Sequence, residues 1–391
     1  MTDLPLKGLL VLEFSQYLSG PSAGLRLADL GARVIKIERA DSGDAGRRLP
    51  IKNLWADEST LLFHTINRNK ESFTADLKNP QDLAVIKKLI GIADVLVHNF
   101  RPAVMPKIGL DYESVKAINP RIIYAGISGY GKKGPWKNKP GQDLLLQSMT
   151  GLTYTTGSGN NGPVPFGIAV GDILSGAQLV QGIIGALIRR QRTGTGALIE
   201  ISLMESLLDF QFELLTTYFV NHRQPQRSTI NNGHPLLGAP YGVYKTTDGY
   251  IALAMMDIHE LAEAIDCNEL KNGHAENIFV RRDIVKATIA RHLENQSSSY
   301  WISRLHEYDL WAMEVYDWEK MSDHEAYKCL QMEQMVDVEG QKIITTRCPI
   351  RINGERMYSD KPAPKLGEHN ESILRELRKR DTKRNGENDI L

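Results

Sequence analysis

The sequence carries no excess of either charge: Lys and Arg number 47, as do Asp and Glu, for a formal net charge of zero. That removes the general electrostatic case for nucleic acid or an anionic membrane surface as partner. Cysteine is scarce. Cys267, Cys329 and Cys348 are odd in number and far apart, which gives neither a disulfide framework nor a metal-ligand spacing. A reducing cytoplasm is the expected location. The ten histidines do not pair at i, i+4 around a carboxylate, so no metal is expected. No stretch approaches the ~18–20 uninterrupted apolar residues of a membrane helix. Met1 to Phe14 carries Asp3 and Lys7 before a short apolar run and reads as a first strand rather than a signal peptide.

Familiar catalytic signatures are missing too. The first strand-to-helix loop, Ser15 to Pro21, lacks G-x-G-x-x-G, which removes the dinucleotide fingerprint where it would stand. There is no G-x-S-x-G elbow and no Cys/His pair. Ser128 to Pro135 is rich in glycine but lacks the G-K-[ST] ending of a P-loop, and reads as a lid or as a structural loop.

What is present is alternation. Gly8–Phe14 reads as a buried strand, Ser22–Leu30 as a helix ended by Gly31, and Arg33–Glu38 as a second strand, a βαβ unit that implies parallel pairing. The pattern continues with a helix at Pro80–Ile92, a strand at Asp94–His98, a helix at Tyr112–Ile118 and a strand at Arg121–Ile127. A helix at Gly141–Met149, a long one at Asp172–Arg192 and a strand at Ala197–Ser202 complete it. Such alternation predicts a doubly wound α/β domain. Near Asn221–Leu237 the texture turns polar and reads as a linker. A hairpin follows, Tyr241–Lys245 and Tyr250–Met255 around Thr247-Asp248-Gly249, then helices near His259–Ile265, Arg281–Leu293 and Tyr300–His306. We expect a large domain over 1–224, a small α+β domain over 225–325 and a last part over 326–391, with more β-structure at Val336–Ile352 and a helix at Ser372–Arg380.

Chemistry concentrates at Gly171-Asp172, where a glycine-rich segment turns into the long helix. An Asp there reads first as an N-cap. It is also the nucleophile candidate left by elimination, since a carboxylate facing the helix dipole is expected to stay ionised at neutral pH. Cations gather at strand ends and in adjoining loops: Lys36, Arg39, Arg68, Lys70, Lys78, Arg101 and Lys107. Each reads as solvated surface or as a contact for phosphate.

Taken in order, a set of segments resembles the class III CoA-transferases, which are related to the α-methylacyl-CoA racemases. They are Gly20-Pro21, Asp29–Ala32 with Val34–Glu38, Asn67–Lys70, Asp76–Lys78, Asp94–Val97 through Asn99–Pro102, Gly109-Leu110 and Asn119–Arg121, then Gly129–Gly131 with Gly134-Pro135, Gly171-Asp172 and Pro364–His369. The resemblance implies that Asp172 attacks an acyl-CoA thioester, passing through a mixed anhydride and an aspartyl-CoA thioester, with Gln16 and the Gly131 loop beside it in catalysis. It implies CoA contacts at Gln16, Tyr17, Arg39, Lys78, Asn99, Phe100, Arg101, Lys107 and Tyr130, with Arg39 and Lys107 on phosphates and Phe100 against the adenine. CoA and acyl-CoA would be substrates, and no permanent cofactor is implied. The implied fold is a Rossmann-like large domain made from both ends of the chain, a small domain between, and two chains interlocked as rings. Racemases of the superfamily carry G-H-D where this chain has Gly141-Gln142-Asp143. Gln cannot act as a base, so transfer is expected ahead of racemisation at an acyl-CoA, and ahead of a CoA-binding protein without activity.

Overall fold

The computed structural model describes residues 4–49, 53–271 and 277–388. Met1 to Asp3, read above with the first strand, and residues 389–391 lie outside them. The chain divides into two units.

The larger unit takes residues up to Leu146, Ala169–Leu207 and the chain from Gln331. Its six strands are β1 (Leu10–Glu13), β2 (Arg33–Glu38), β3 (Glu71–Thr74), β4 (Val95–His98), β5 (Ile123–Ser128) and β6 (Ala197–Ser202). They bond in the order β3-β2-β1-β4-β5-β6, every pair parallel. The order reverses between β1 and β4. Their following loops therefore diverge at the carboxyl edge of the sheet, where open α/β sheets bind ligands. Because strand side chains alternate, Leu12, Ile35, Leu96 and Tyr124 share one face. There they are buried with Ile86, Leu89 and Ile90 of α2 (Pro80–Ile92), Val115 of α3 (Tyr112–Ile118) and Ile373 and Leu377 of the C-terminal helix Asn370–Asn388. α1 (Ser19–Asp29) packs on the long helix α4 (Val170–Thr193), which lies on β5 and β6. Among the described residues α4 is one helix long and apolar enough to cross a membrane. Its packing makes it the core helix of this unit.

Two departures from expectation stand out. α1 starts at Ser19, not Ser22, because Pro21 falls in the first turn, where its missing N–H has no partner to lose. β3, the four residues Glu-Ser-Phe-Thr at the edge of the sheet, is too short to show a period. Its open edge is filled from far down the chain. His369 N donates to Ser72 O at 3.1 Å, Thr74 N to Asn370 Oδ1 at 2.9 Å, and Asn69 N to Lys361 O at 3.0 Å.

Beneath the carboxyl edge lies a cluster of buried charges. Glu13 and Lys36 stand opposite in the β1–β2 register. Lys36 Nζ is 2.8 Å from both Glu13 Oε1 and Asp44 Oδ2, and Lys70 Nζ is 2.8 Å from Glu13 Oε2, with all four side chains fully buried. Lys70 also donates to Pro21 O and Asn67 Oδ1. Burial pushes the Glu13 carboxyl up, yet Lys36 and Lys70 outweigh it and hold it below the ordinary range. Burial pulls Lys70 down to about 8 against the attraction of Glu13. Nearby, Arg47 pairs with Glu38 at 2.7 Å and Arg68 with Asp29 at 2.5 Å, both pairs buried. Lys36, Arg68 and Lys70 are therefore neither solvated surface nor phosphate contacts: the structure commits them to ion pairs in the core.

The second unit comprises Gln147–Ile168 and Leu208–Leu330. An antiparallel sheet of β7 (Gly242–Lys245), β8 (Tyr250–Leu253) and β9 (Ala312–Glu314), with β8 central, packs on helices. The core joins Tyr244, Ile251 and Leu253 to Leu261, Val285, Ile289, Trp301 and Leu305. The unit begins before the expected cut at 225, and residues 221–237 do not behave as a linker. Their polar side chains are satisfied inside the unit. Arg227 donates to the carbonyls of Thr156, Asn161 and Gly162, and Ser228 and Thr229 donate to Asp283.

Replacing one member of a buried ion cluster strands the others in a low-dielectric core. Glu13→Gln is expected to lower the unfolding free energy by about 3–5 kcal/mol, read from urea denaturation. An unchanged midpoint would show that Lys36 and Lys70 do not depend on Glu13.

Candidate active site

Parallel pairing sets the loops after β1, β2, β3, β4 and β5 along one edge. The loops after β1 and β4 meet through Asn99. Its Oδ1 accepts from Gln16 N at 2.9 Å and its Nδ2 donates to Gln16 O at 2.7 Å, so the amide clamps the Gln16 backbone from both sides. The same Nδ2 donates to Ser19 Oγ at 3.2 Å. Between these contacts the chain turns through Tyr17 at φ 65°, a backbone region rare outside glycine. Asp44 Oδ1 secures that turn by accepting from Tyr17 N at 3.0 Å.

Asp172 lies in the first turn of α4, but it is not the cap. The N-cap residue is Ala169, with no side-chain cap bond. The free N–H groups are served by Asp143 of the helix Asp143–Met149: its buried Oδ1 accepts from Gly171 N at 2.7 Å and from Asp172 N at 3.2 Å. The Asp172 carboxylate is left out of that capping and is half-buried. Burial pushes its pKa up to about 6, the like charge of Asp143 adds to the rise, and Ser19 opposes both. The expected ionisation at neutral pH holds, but for another reason: helix-end stabilisation goes to Asp143, and Asp172 stays mostly ionised at pH 7 although its pKa is raised. Asp143 is placed by a contact between backbones: a Cβ on Gly129, just after β5, would stand 2.7 Å from Gly141 Cα. No side chain fits at either glycine.

The other expected site residues distribute unevenly. Phe100 packs on the sheet core and lies 6.4 Å from the His98 ring. Burial drives His98 down to about 4, so it is neutral. Tyr130 Oη donates to Pro140 O at 3.1 Å, and its ring lies 6.2 Å from Trp136. Gly131, at φ 81°, donates its N–H to Ser128 Oγ at 3.0 Å. Arg39, Lys78, Arg101 and Lys107 are exposed along the same edge, and Arg39 is held by Asp41 at 3.0 Å. Hydrogen bonds join Gln16, Asn99 and Ser19. They tie Tyr17 to Asp44, and they leave the four cations outside that network. Sequence reasoning gave Asp143 and Ser19 no role here. The one available signal was an Asp placed to open a short helix after a Gly-Gln pair.

Neutralising Asp143 removes a like charge from beside Asp172 while an amide oxygen can still accept from Gly171 N. Asp143→Asn is therefore expected to move the Asp172 carboxyl titration below about 6, measured by carbon NMR of labelled aspartate. A titration that stays or rises would show that Asp143 does not act on Asp172 through its charge.

This geometry, a half-buried carboxylate beside the switch point of a parallel sheet, agrees with what the chain is similar to. The model of CoA-transferase family III matches residues 6–370. Succinate–glutarate CoA-transferase of Agrobacterium fabrum is 34% identical, over 96% of this chain and 98% of its own. Acetyl-CoA:oxalate CoA-transferase of Acetobacter aceti is 31% identical, over 95% and 96%. Human succinyl-CoA:glutarate CoA-transferase is 29% identical, over 98% and 88%. Among solved structures, a CaiB/BaiF family protein from Brucella suis superposes with a TM-score of 0.83 at 30% identity, covering 96% of this chain and 100% of that one. With an α/β fold on a parallel sheet and a family match over nearly its whole length, the chain belongs to CoA-transferase family III.

Proposed function

We propose that this enzyme moves CoA from an acyl-CoA thioester to a small carboxylic acid, with Asp172 as the nucleophile. The observation that carries the reading is the division of labour at the start of α4: Asp143 serves the helix N–H groups, which leaves the Asp172 carboxylate for chemistry. A pKa raised to about 6 keeps Asp172 ionised at neutral pH while making it more basic than an ordinary aspartate, which favours attack. One carboxylate oxygen adds to the thioester carbonyl and the C–S bond breaks, giving a mixed anhydride and CoA thiolate. The thiolate adds to the aspartyl carbonyl, releasing the donor acid and leaving an aspartyl-CoA thioester. The acceptor carboxylate then adds to the aspartyl-CoA carbonyl and expels CoA thiolate, giving a second anhydride; the thiolate adds to the acceptor's acyl carbon, which forms the new acyl-CoA and frees the Asp172 carboxylate. No thioester energy is lost to water.

In this reading Gln16 and Gly131 donate to the oxyanion of each addition. The Gly131 N–H exchanges its bond to Ser128 Oγ for that oxygen. Tyr17, Arg39, Lys78, Asn99, Phe100, Arg101, Lys107 and Tyr130 hold CoA, with Arg39 and Lys107 on the phosphates. The relatives' names make dicarboxylates, with succinyl-CoA and glutarate first, the substrates to test. We further propose a Rossmann-like large domain, a cytoplasmic location and an interlocked homodimer. Support for the dimer comes from the helices Leu203–Phe210 and Phe212–Asn221, where Phe210, Phe212, Phe219 and Val220 are exposed in the single chain. Apolar side chains massed on one segment mark an association surface.

Incubation with acyl-CoA thioesters is expected to leave a covalent adduct on the peptide holding Asp172, seen by intact mass and peptide mapping. Asp172→Ala should lose the adduct and lower transfer by more than about 10³-fold, with the fold intact. Transfer near the original rate in that variant would refute the mechanism. In light scattering the protein is expected at twice the chain mass of 43.8 kDa, and a monomer would refute the interlocked dimer.

A further inference from the structure

Two peptide segments meet before the start of α4 with no side chain between them. Gly129 directly follows Ser128, the last residue of β5, and Gly141 stands two residues before Asp143. A Cβ on either glycine would lie 2.7 Å from the other's Cα, closer than real Cβ atoms come to anything. Neither side gives way easily. Gly129 O accepts from Met204 N at 3.1 Å, and Ser128 pairs with Ser202 of β6 in register. On the other side, buried Asp143 accepts from Gly171 N at 2.7 Å and from Asp172 N at 3.2 Å. A Cβ on Gly171 would stand 2.8 Å from Asp143 Oδ1, so that junction is tight as well. Tyr130 Oη, donating to Pro140 O at 3.1 Å, ties the two segments again one residue beyond the glycine contact on each side. Each end of the junction leads to a group that transfer uses. Two residues past Gly129 is Gly131, whose N–H is held by Ser128 Oγ at 3.0 Å. Two residues past Gly141 is Asp143, which fixes the backbone of Asp172. A displacement at the glycine contact reaches an oxyanion donor by one route and the nucleophile by the other.

We propose that Gly141 is a positioning residue for the transfer reaction: its backbone contact with Gly129 sets the glycine loop that carries the Gly131 N–H and the backbone that carries Asp172 at one fixed separation. The inference rests on the reading of Asp172 as nucleophile and Gly131 as oxyanion donor. Addition to a thioester needs both groups at once, the attacking oxygen at the carbonyl carbon and the donor at the carbonyl oxygen. The bond between those two atoms has one length, so the gap between nucleophile and donor is dictated by the substrate. A contact that fixes the gap beforehand leaves nothing to reorganise as charge develops. Two facing glycines serve this better than interlocked side chains, because backbone pinned by hydrogen bonds has no rotamers through which to relax.

The test uses the full chain carrying Gly141→Ala, Tyr130→Phe or Gly185→Ala. Gly185 is exposed on α4, with nothing within 4 Å of an added Cβ. Two readouts are taken: the NMR signals of the Gly131 amide and the Asp172 carboxyl in the free protein, and kcat and KM for acyl-CoA. Gly141→Ala is expected to move both signals and to lower kcat about 10²-fold, with KM within about three-fold. Tyr130→Phe removes one tie and adds no atom, so it keeps the fold even where Gly141→Ala does not, and it is expected to move the same two signals by less. Gly185→Ala leaves both signals and kcat in place. One signal moving without the other, or neither moving, would overturn the proposal and make Gly141 a residue of close packing alone. Signals that move together support the junction even where transfer proves independent of Asp172, so the two readings fail separately.

Discussion

The site depends on a cluster of charges that water does not reach. Lys36 joins Glu13 of β1 to Asp44 at 2.8 Å each, and Asp44 turns its other oxygen to Tyr17 N and Gly46 N. Two requirements are met by one carboxylate. It neutralises a lysine that burial would otherwise strip of its proton, and it holds a turn that would not persist alone. From that turn α1 starts, and α1 packs on α4, which carries Asp172. Replacing such a cluster by apolar residues could keep the fold's stability. It could not keep the turn, since no methyl group accepts from Tyr17 N.

Asp172 is set between opposed influences. Burial and Asp143 raise its affinity for a proton, and Ser19 lowers it. A nucleophile that must also be displaced gains from an intermediate value. A far more acidic aspartate attacks a thioester poorly, and a far more basic one is protonated at neutral pH. Two carboxylates one residue-contact apart at a helix end look redundant until their partners are compared. Asp143 accepts from the backbone N–H groups, and the Asp172 carboxylate is left out of that capping.

Much of the sheet was legible from strand-length runs rich in apolar residues between turns: Arg33–Glu38 and Ala197–Ser202 begin and end where the pattern puts them. Glu71–Thr74 and Ala312–Glu314 were not, since three or four residues at an edge show no period. The charge cluster left a trace that was misread. Glu13 and Lys36 stand inside otherwise apolar strands, Leu-Val-Leu-Glu and Val-Ile-Lys-Ile, where a solvated charge has no place. The identity of Asp172 and its charge at neutral pH were legible; the raised pKa was not. Titration depends on Asp143, 29 residues away in sequence, and on burial that only packing creates. The polar stretch near residue 225 looked like a linker because sequence shows polarity without its partners. Arg227, Ser228 and Thr229 find theirs at Thr156 and Asp283.

The way β3 is finished bears on how the chain is made. This edge strand is completed by Lys361, His369 and Asn370, nearly 300 residues downstream. A ribosome adds about 5–20 residues each second. For some tens of seconds, then, β3 has emerged while the segment that covers it has not been synthesised. A bare parallel edge is a template for another strand, and in a polysome the neighbouring strands belong to sibling chains. The last helix thus does more than close the core. Its arrival ends an interval in which the nascent protein is exposed to pairing with its own copies, and a cell under translational stress lengthens that interval.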